Sequence, residues 1–515
     1  MDSPLEQSLE QYFGYKVFKR GQKDIIESVL AGRDVFGILP TGTGKSLCYQ
    51  LPAKLLDGLT IVVTPLVSLM MDQVKQLQAM HYKGAAAINS FVDREERNRI
   101  YGQLKRLDLL YVSPELLQQP QAMQYLSNVK IALLVIDEAH CISQWGHEFR
   151  TDYMKLGEVA RNLGNPQILA LSATATDAAV EETIQILDRP NMERHIHPMD
   201  RENIALAVEH VKNDEEKFSI MSDWLKENLG PTIIYFSSRS ACEDVAQRLI
   251  GCFPNQSIAF YHGGMEQTDR ILVQQQFMNK QLDLICCTSA FGMGINKSDV
   301  RLVMHYHFPS DIESFIQEIG RAGRDGMQSL SVLLYSDQDI HLQLRLIESE
   351  LPEQSMVFHA VRLLESLERS GRDEIGTGPE YWNLFQTTET QWRFLYYQFE
   401  KHGMIKDNRI MIKKAHVKEA ATKIAEHVSS RLQFKKAKLG SMLDWLNEEK
   451  CLRVALYDYL QPTCTIPEIN CCSHCGLDLD MFRHPEETAR ETVPHSWKEH
   501  LRYVLFNGFQ EYKQP

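Results

Sequence analysis

Ten residues constrain this chain more than any others: Gly37-Ile38-Leu39-Pro40-Thr41-Gly42-Thr43-Gly44-Lys45-Ser46, directly after the apolar pair Val35-Phe36. A short buried strand, a glycine-rich turn and a helix start, in that order, form a loop that cradles phosphate. Gly42 and Gly44 permit the tight turn and let backbone N–H groups point inward. The positive end of the following helix favours an anion at the same place. Lys45 would reach the β- and γ-phosphates, and the Ser46 hydroxyl would ligate Mg²⁺. Thr41, Gly42, Thr43, Gly44, Lys45 and Ser46 are thus candidates for nucleotide binding. The pattern G-x-x-x-x-G-K-[ST] asks for glycine at position 39, where this chain has Leu39, so a chance glycine-rich turn competes with the phosphate reading.

Such a loop needs a sheet behind it. Short apolar runs at Thr60–Thr64, Leu109–Val112, Leu133–Ile136 and Ile168–Leu171 alternate with helical stretches such as Ser68–Met80 and Arg94–Leu107. Strands separated by helices of this length predict βαβ units and a parallel sheet, and nearly continuous apolarity predicts burial on both faces. The run Leu133–Ile136 leads into Asp137-Glu138-Ala139-His140. Ligands of open α/β sheets sit beyond the carboxyl ends of strands. Asp137 is there to hold Mg²⁺ and Glu138 to orient and deprotonate a water; an acidic helix start is the alternative. Upstream, Gln22 either reads an adenine edge with its paired donor and acceptor or is a polar helix-start residue.

A second α/β unit begins near residue 201, with strands expected at Thr232–Phe236, Ser257–Tyr261, Leu282–Cys286, Leu302–Tyr306 and Leu330–Leu334. It lacks a phosphate loop and ends in Gln317-Glu318-Ile319-Gly320-Arg321-Ala322-Gly323-Arg324. Arg321 and Arg324 are three apart, so on a helix they share a face. They either meet transition-state charge on a nucleotide held by the first unit or make structural salt bridges.

At 515 residues the chain has room for about three or four domains. No apolar run approaches the ~18 residues of a membrane span. The acidic start Met1-Asp2-Ser3-Pro4-Leu5-Glu6-Gln7 lacks the basic and apolar regions of a signal peptide, which predicts a cytoplasmic, nucleoid-associated protein. A formal net charge of −13 means that a nucleic-acid partner would need local basic surfaces. Lys413, Lys414, Lys418, Lys423, Lys435, Lys436 and Lys438 offer such surfaces, or form solvated helix faces. Four of the eleven cysteines crowd into residues 464–475, which reads as a metal site and not a disulfide framework.

Taken together, these stretches resemble the RecQ family of superfamily 2 DNA helicases, over about residues 12–337 and again over about 430–476. Lys19 and Gln22 resemble its motif 0, with Lys19 where the family usually has arginine. Residues 40–52 resemble motif I, in which the first Walker glycine is commonly absent, so Leu39 ceases to be an objection. Thr64-Pro65-Leu66-Val67-Ser68 resembles motif Ia, Tyr111-Val112-Ser113-Pro114-Glu115 motif Ib, and Asp137–His140 motif II. Cys141-Ile142-Ser143-Gln144-Trp145-Gly146-His147-Glu148-Phe149-Arg150 resembles the family's aromatic-rich loop. Trp145 and Phe149 would stack on unpaired bases, at ~1–3 kcal/mol each, or else form a core cluster under a helix. Ser172-Ala173-Thr174 resembles motif III, Ser237-Ser238-Arg239 motif IV with Tyr261-His262 following, Thr288–Asn296 motif V, and Gln317–Arg324 motif VI.

The resemblance implies two RecA-like parallel-sheet lobes, at 1–200 and 201–345, with ATP and Mg²⁺ between them. It implies catalysis by Lys45, Asp137, Glu138, Gln317, Arg321 and Arg324. Arg324 would be the main arginine finger. Pro65, Ser68, Ser113, Trp145, Phe149, Arg150, Ser172, Thr174, Arg239, His262 and Thr288 would contact DNA or couple it to hydrolysis. It further implies 3′→5′ translocation on single-stranded DNA, forked or tailed duplex as substrate, and work in repair, recombination or fork maintenance. Single-strand-binding, repair or replication-restart proteins are then candidate partners. A helical zinc-binding domain is implied at 417–480, with Cys451, Cys464, Cys472 and Cys475 as the Zn²⁺ ligands and Cys471 and His474 as spare donors.

The chain also departs from the family. Only 40 residues follow Cys475, too few for the usual winged-helix and HRDC domains. Residues 352–416 are instead longer than the zinc module needs: helices at Met356–Arg369, Tyr381–Phe385 and Glu389–Lys401, then an Asp407-Asn408-Arg409 turn between apolar runs. These are the ingredients of an inserted winged-helix-like domain; a helical spacer is the alternative. Residues 481–515 form a tail, amphipathic over Ser496–Phe509.

Overall fold

The computed structural model describes residues 4–482, apart from 66, 90–91, 145–150, 228, 293–296, 413–415 and 462–463. Trp145, Phe149, Arg150, Lys413, Lys414 and the 496–509 stretch therefore lie outside the described residues.

The first lobe is built on seven strands: β1 (Val35–Ile38), β2 (Leu59–Val63), β3 (Ala85–Ile88), β4 (Leu109–Val112), β5 (Ile131–Ile136), β6 (Gln167–Ser172) and β7 (Glu193–Ile196). They pair in the order β3-β4-β2-β5-β6-β1-β7, and every ladder is parallel. β1, β2 and β4 are buried at every position, because helices cover both faces of the sheet. The second lobe has β8 (Ile204–His210), β9 (Thr232–Phe236), β10 (Ile258–Tyr261), β11 (Leu284–Thr288), β12 (Leu302–His305) and β13 (Ser329–Tyr335). Their order is β10-β11-β9-β12-β13-β8, again all parallel. The expected α/β architecture of two parallel-sheet lobes is thus present. One core ion pair braces the second lobe: Lys217 is fully buried and donates to the Asp339 carboxylate and, at 2.8 Å, to the Tyr306 carbonyl.

After the lobes come three helices, Gln354–Arg369, Pro379–Leu384 and Glu389–Lys401, and then the hairpin β14 (Ile405–Lys406) and β15 (Arg409–Ile410). Asp407 and Asn408 turn the hairpin with φ of 51° and 59°, the two left-handed residues of a tight two-residue turn. Residues 373–375 add a third extended segment beside β15: Ile375 N–H donates to Asn408 O at 2.9 Å and Ile410 N–H to Asp373 O at 2.8 Å. The insertion runs in the order helix, extended segment, helix, helix, hairpin. Its core centres on Trp392, fully buried, stacked on Phe385 at 4.2 Å and donating Nε1–H to Gly376 O at 2.9 Å. A 30-residue helix, Val417–Leu446, follows. Its first half completes that core through Ala421, Ile424 and Val428. Farther along, Arg431 donates to Ser143 O of the first lobe at 3.3 Å and Lys438 pairs with Glu313 of the second at 2.7 Å.

Candidate functional site

Three neighbouring strands, β5, β6 and β1, end at one edge of the first sheet and deliver three functional segments there. β1 runs into the phosphate loop, where Gly42 and Gly44 take φ of 82° and 76°, a conformation closed to most other residues. β5 ends in Asp137 and Glu138, and β6 ends in Ser172. The segments are tied together: Leu39 N–H donates to Ser172 O at 3.1 Å, Asp137 N–H to Val63 O at 2.9 Å and Ala139 N–H to Leu171 O at 2.8 Å. Glu138 itself has φ of 52°, a strained conformation for a non-glycine residue of the kind held at active sites. Lys45 Nζ lies 3.8 Å from Glu138 Oε2.

His140 joins the acids to β6. Its Nδ1 is 2.9 Å from Ser172 Oγ and 3.4 Å from Glu138 Oε2, and Ser172 Oγ donates to Thr174 O at 2.6 Å. Burial holds the imidazole pKa below its ordinary value, so the ring is neutral. Burial, followed by the Glu138 charge, raises Asp137 above the carboxylate range. Burial alone would raise Glu138 too, but Lys45, His140, Arg321 and Arg324 together hold it below its ordinary value. One carboxylate of the pair therefore keeps its charge and the other tends to hold a proton until a cation such as Mg²⁺ arrives beside it.

The second lobe closes the site. Helix Ile312–Ile319 carries half-buried Gln317 and leads into the turn with Arg321 and Arg324. These two arginines follow the helix instead of sharing its face, yet both act on Glu138. A Cβ on Gly42 would sit 3.2 Å from Arg324 Cγ, so Arg324 lies against the phosphate loop. Burial, Arg321 and Arg201 hold its guanidinium pKa below the ordinary range. Lys45, Arg201, Arg321 and Arg324 gather beside Asp137 and Glu138 here, and such a concentration of positive charge suits a polyphosphate. Thr41 Oγ1 donates across the cleft to Gly320 O at 2.8 Å.

Gln22 and Lys19 brace the same loop from outside. Gln22 Nε2 donates to Thr43 O at 2.8 Å and Gly44 O at 3.0 Å, its Oε1 accepts from Lys19 N–H at 2.8 Å, and Lys19 Nζ donates to Gly42 O at 3.1 Å. Through these bonds the Gln22 amide holds the loop. Thr43 Oγ1 donates to Pro40 O at 2.7 Å, and Ser46 stands at the N-cap position of helix Leu47–Leu55 without a side-chain capping bond.

Ser172 and Thr174, at the end of β6, lie on the nucleotide half of the edge, and the other described DNA candidates gather on the other half of each sheet edge. Pro65 follows β2, Ser68 lies in helix Val67–Ala79, and Ser113 stands at the N-cap position of a helix after β4. In the second lobe, exposed Arg239 follows β9, His262 follows β10 and Thr288 ends β11. His262 reaches that edge with its ring buried, 2.7 Å from Glu243 Oε1 and accepting Gly264 N–H at 3.2 Å. Four of the seven lysines proposed for phosphates are engaged within the protein: Lys435 with Glu350 at 2.5 Å, Lys436 with Glu348 at 2.7 Å, Lys438 with Glu313 at 2.7 Å and Lys423 with Glu419 at 2.7 Å.

The thiols that converge are Cys451, Cys471, Cys472 and Cys475, whose sulfurs all lie within 4.8 Å of one another. Cys451 and Cys471 sulfurs are 3.6 Å apart, and those of Cys472 and Cys475 3.5 Å. A tetrahedron with Zn–S near 2.3 Å has sulfur–sulfur edges of ~3.8 Å, so the group fits a closed zinc site. The set differs by one member from the spacing-based set: Cys471 stands where Cys464 was expected. Cys464 precedes Thr465, whose N–H is drawn to Asp200 Oδ2 at 2.8 Å, and His474 spends Nδ1 on Lys450 O at 2.6 Å. The sequence reading gave His140 no role beyond its place in motif II, and it passed over Arg201 and Arg453, which belong to no spacing motif.

Comparison with known proteins agrees with this geometry. Residues 19–183 match the DEAD/DEAH box helicase family and residues 216–326 the helicase conserved C-terminal domain. The chain is 41% identical over 503 residues to the Bacillus subtilis protein described as "Probable ATP-dependent DNA helicase RecS", covering 97% of this chain and 98% of that one. It is 41% identical over 360 residues to the ATP-dependent DNA helicase RecQ of Haemophilus influenzae, covering 69% of this chain and 57% of the relative. Among solved structures, Mycobacterium smegmatis helicase Lhr bound to ssDNA and AMP-PNP superimposes with TM-score 0.56 at 18% identity, over 82% of this chain and 62% of that one. Saccharomyces cerevisiae Dbp5 bound to RNA and ADP BeF3 does so with TM-score 0.55 at 17% identity, over 67% of this chain and 90% of that one. At such identities these two show the fold alone. Among the described residues, no helix is long and apolar enough to cross a membrane.

Proposed function

Because the chain belongs to the RecQ family of DNA helicases, we propose that it is an ATP-driven enzyme that moves 3′→5′ along single-stranded DNA and unwinds the duplex ahead. The observation that carries this reading is the meeting of Lys45, Asp137 and Glu138 from one lobe with Arg321 and Arg324 from the other across a single cleft. In it, the phosphate loop and Lys45 hold ATP. Mg²⁺ held by Ser46 and Asp137 supplies charge neutralisation to the phosphates. Glu138, ionised and oriented by Lys45 and His140, takes the proton of the attacking water. Arg324, with Arg321 behind it, meets the charge that develops on the γ-phosphate. Gln317, on the helix that leads to them, completes the set. Opening and closing of the cleft then displaces the edge that carries Pro65, Ser68 and Ser113 relative to the edge that carries Arg239, His262 and Thr288, and so steps the strand.

The four thiols Cys451, Cys471, Cys472 and Cys475 hold structural Zn²⁺ in this reading. Residues 352–416 act as a winged-helix module. Its third helix is packed on the first lobe, with Lys155 Nζ 2.7 Å from Glu400 Oε2, which leaves the hairpin with exposed Lys406 and Arg409 to meet duplex. The protein works in the cytoplasm at the nucleoid, beside single-strand-binding and repair or replication-restart proteins. Unwinding of duplexes with a 3′ or a 5′ single-stranded tail tests the core of this. Wild type is expected to open the 3′-tailed substrate with ATP, and Lys45→Ala to open neither. Equal unwinding of both polarities, or full ATPase in Lys45→Ala, refutes it.

A further inference from the structure

The segment that joins the lobes, residues 197–203 between β7 and β8, is held along its length by the cysteine-bearing region. Met199 N–H donates to Gln461 Oε1 at 2.7 Å, and Gln461 Nε2 donates to Asp200 Oδ1 at 3.3 Å. Asp200 Oδ2 accepts Thr465 N–H at 2.8 Å. Arg453 Nη1 donates to the Arg201 carbonyl at 3.1 Å and its Nη2 to the Ile204 carbonyl. The grip continues into β8, where Ser473 N–H donates to Leu206 O at 2.7 Å. Arg453 and Gln461 are 1% and 8% exposed, so these bonds lie away from competing water. Arg453 is two residues from Cys451, and Ser473 lies between Cys472 and Cys475.

From this clamped backbone the Arg201 side chain turns into the nucleotide cleft. Nη1 donates to Thr41 O of the phosphate loop at 3.0 Å. Nη2 donates to Gly323 O and, at 3.3 Å, to Ala322 O, in the turn between Arg321 and Arg324. Little slack surrounds it: the cavity among Thr41, Thr174, Arg201, Ile316, Gly320 and Tyr457 is about 10 Å³, room for roughly one water. A planar guanidinium can donate in two directions from one fixed fork, which a lysine ammonium cannot reproduce.

We infer that Arg201 is a positioning residue for ATP hydrolysis, pinning the phosphate loop to the Arg321–Arg324 turn, and that the cysteine module sets it through Arg453. This rests on the reading that ATP is hydrolysed in this cleft. It makes the joint between the lobes the point at which the metal-candidate module acts on the reaction.

The test is steady-state ATPase of the full chain at saturating single-stranded DNA, for Arg201→Ala, Arg201→Lys, Arg453→Lys and the Arg201→Ala/Arg453→Lys double variant. Bound zinc and melting temperature are measured on each. Misplacing a reacting group by ~1 Å costs about 100-fold. Arg201→Ala is therefore expected to lower kcat by about 10- to 100-fold while KM for ATP moves less than about threefold, since Lys45 and the loop still bind phosphate. Arg201→Lys should recover part of kcat, and zinc content should not change. The double variant should be no slower than Arg201→Ala alone, because Arg453 then has nothing left to set. A kcat within about twofold of wild type in Arg201→Ala overturns the assignment, and multiplying losses in the double variant overturn the route through Arg453. If Arg453→Lys loses zinc, Gln461→Leu combined with Arg201→Ala tests the same clamp. A wild-type protein without ATPase would refute the underlying function instead.

Discussion

Gln22 offers a sharp test of how the phosphate loop is held. It is 2% exposed and its carboxamide is fully engaged, taking Lys19 N–H and giving to Thr43 O and Gly44 O. Gln22→Glu keeps the shape and the acceptor toward Lys19 but removes both donors. A carboxylate then faces two part-buried carbonyls. Each lost hydrogen bond is worth about 0.5–1.5 kcal/mol, so the loop conformation loses about 1–3 kcal/mol. At 1.36 kcal/mol per decade, kcat/KM should fall by about 5- to 160-fold. The assay is phosphate release with ATP and with the same triphosphate lacking the 6-amino group of the base. If Gln22 braces the loop, both substrates lose the same factor. A loss confined to ATP would refute the bracing and make Gln22 a reader of the adenine edge.

Two further outcomes follow from other parts of the molecule. Cys464→Ser should retain roughly one equivalent of zinc, whereas Cys471→Ser should lose most of it and lower thermal stability with it, by metal analysis and melting curves; the reverse pattern would restore Cys464 as a ligand. His307 is buried, accepts Ser237 N–H at 3.3 Å, and burial, aided by Lys217, depresses its pKa from 6.5 to about 3. The folded protein keeps this ring neutral while the unfolded chain takes up a proton below pH ~6.5, so its contribution is intact above that pH and is lost as pH falls toward 3. Between about pH 7.5 and about pH 5.5 the loss is about 1.4 kcal/mol. His307→Asn should remove that part of the acid sensitivity in denaturant titrations, and an unchanged slope would sink the assignment.

Most of the strands that sequence revealed are inner ones, with β10 the edge strand among them. β2, β4, β5 and β9 are apolar runs because both of their faces are covered, and burial leaves its mark residue by residue. The strands it passed over, β3, β7 and β8, are sheet edges. β7 reads Glu193-Arg194-His195-Ile196 with none of its residues buried; its strand state is dictated by the backbone of β1. The insertion's three helices and its hairpin were legible from amphipathic spacing and the Asp407-Asn408 turn, but not its third extended segment, Asp373-Glu374-Ile375, which exists only by pairing with β15. Lys45, Asp137 and Glu138 were legible because their motifs are local. Arg201 was not: its partners lie at 41 and 322–323, and no local pattern records that distance. The same holds for Lys435, Lys436 and Lys438, whose carboxylates come from 313, 348 and 350. Cys471 and Cys464 cannot be ranked by spacing, because a turn through Asn470, with φ of 57°, decides which thiol faces Cys451.

The helix Val417–Leu446 has a consequence for what this chain tolerates. Its 30 residues measure about 45 Å, and along that length it sets Val428 in the insertion's core, Arg431 on the first lobe, Lys438 on the second and Trp445 against Phe315. Those four appointments are kept by angular phase. One residue added near position 433 would rotate everything beyond it by about 100° and carry Lys438 and Trp445 away from their partners, whereas seven would restore the facing to within about 20° but shift it by about 10 Å. The helix therefore works as a camshaft. Changes in the length of the chain should be admissible in the loops on either side of it and excluded within it, even at positions where every side chain points to water.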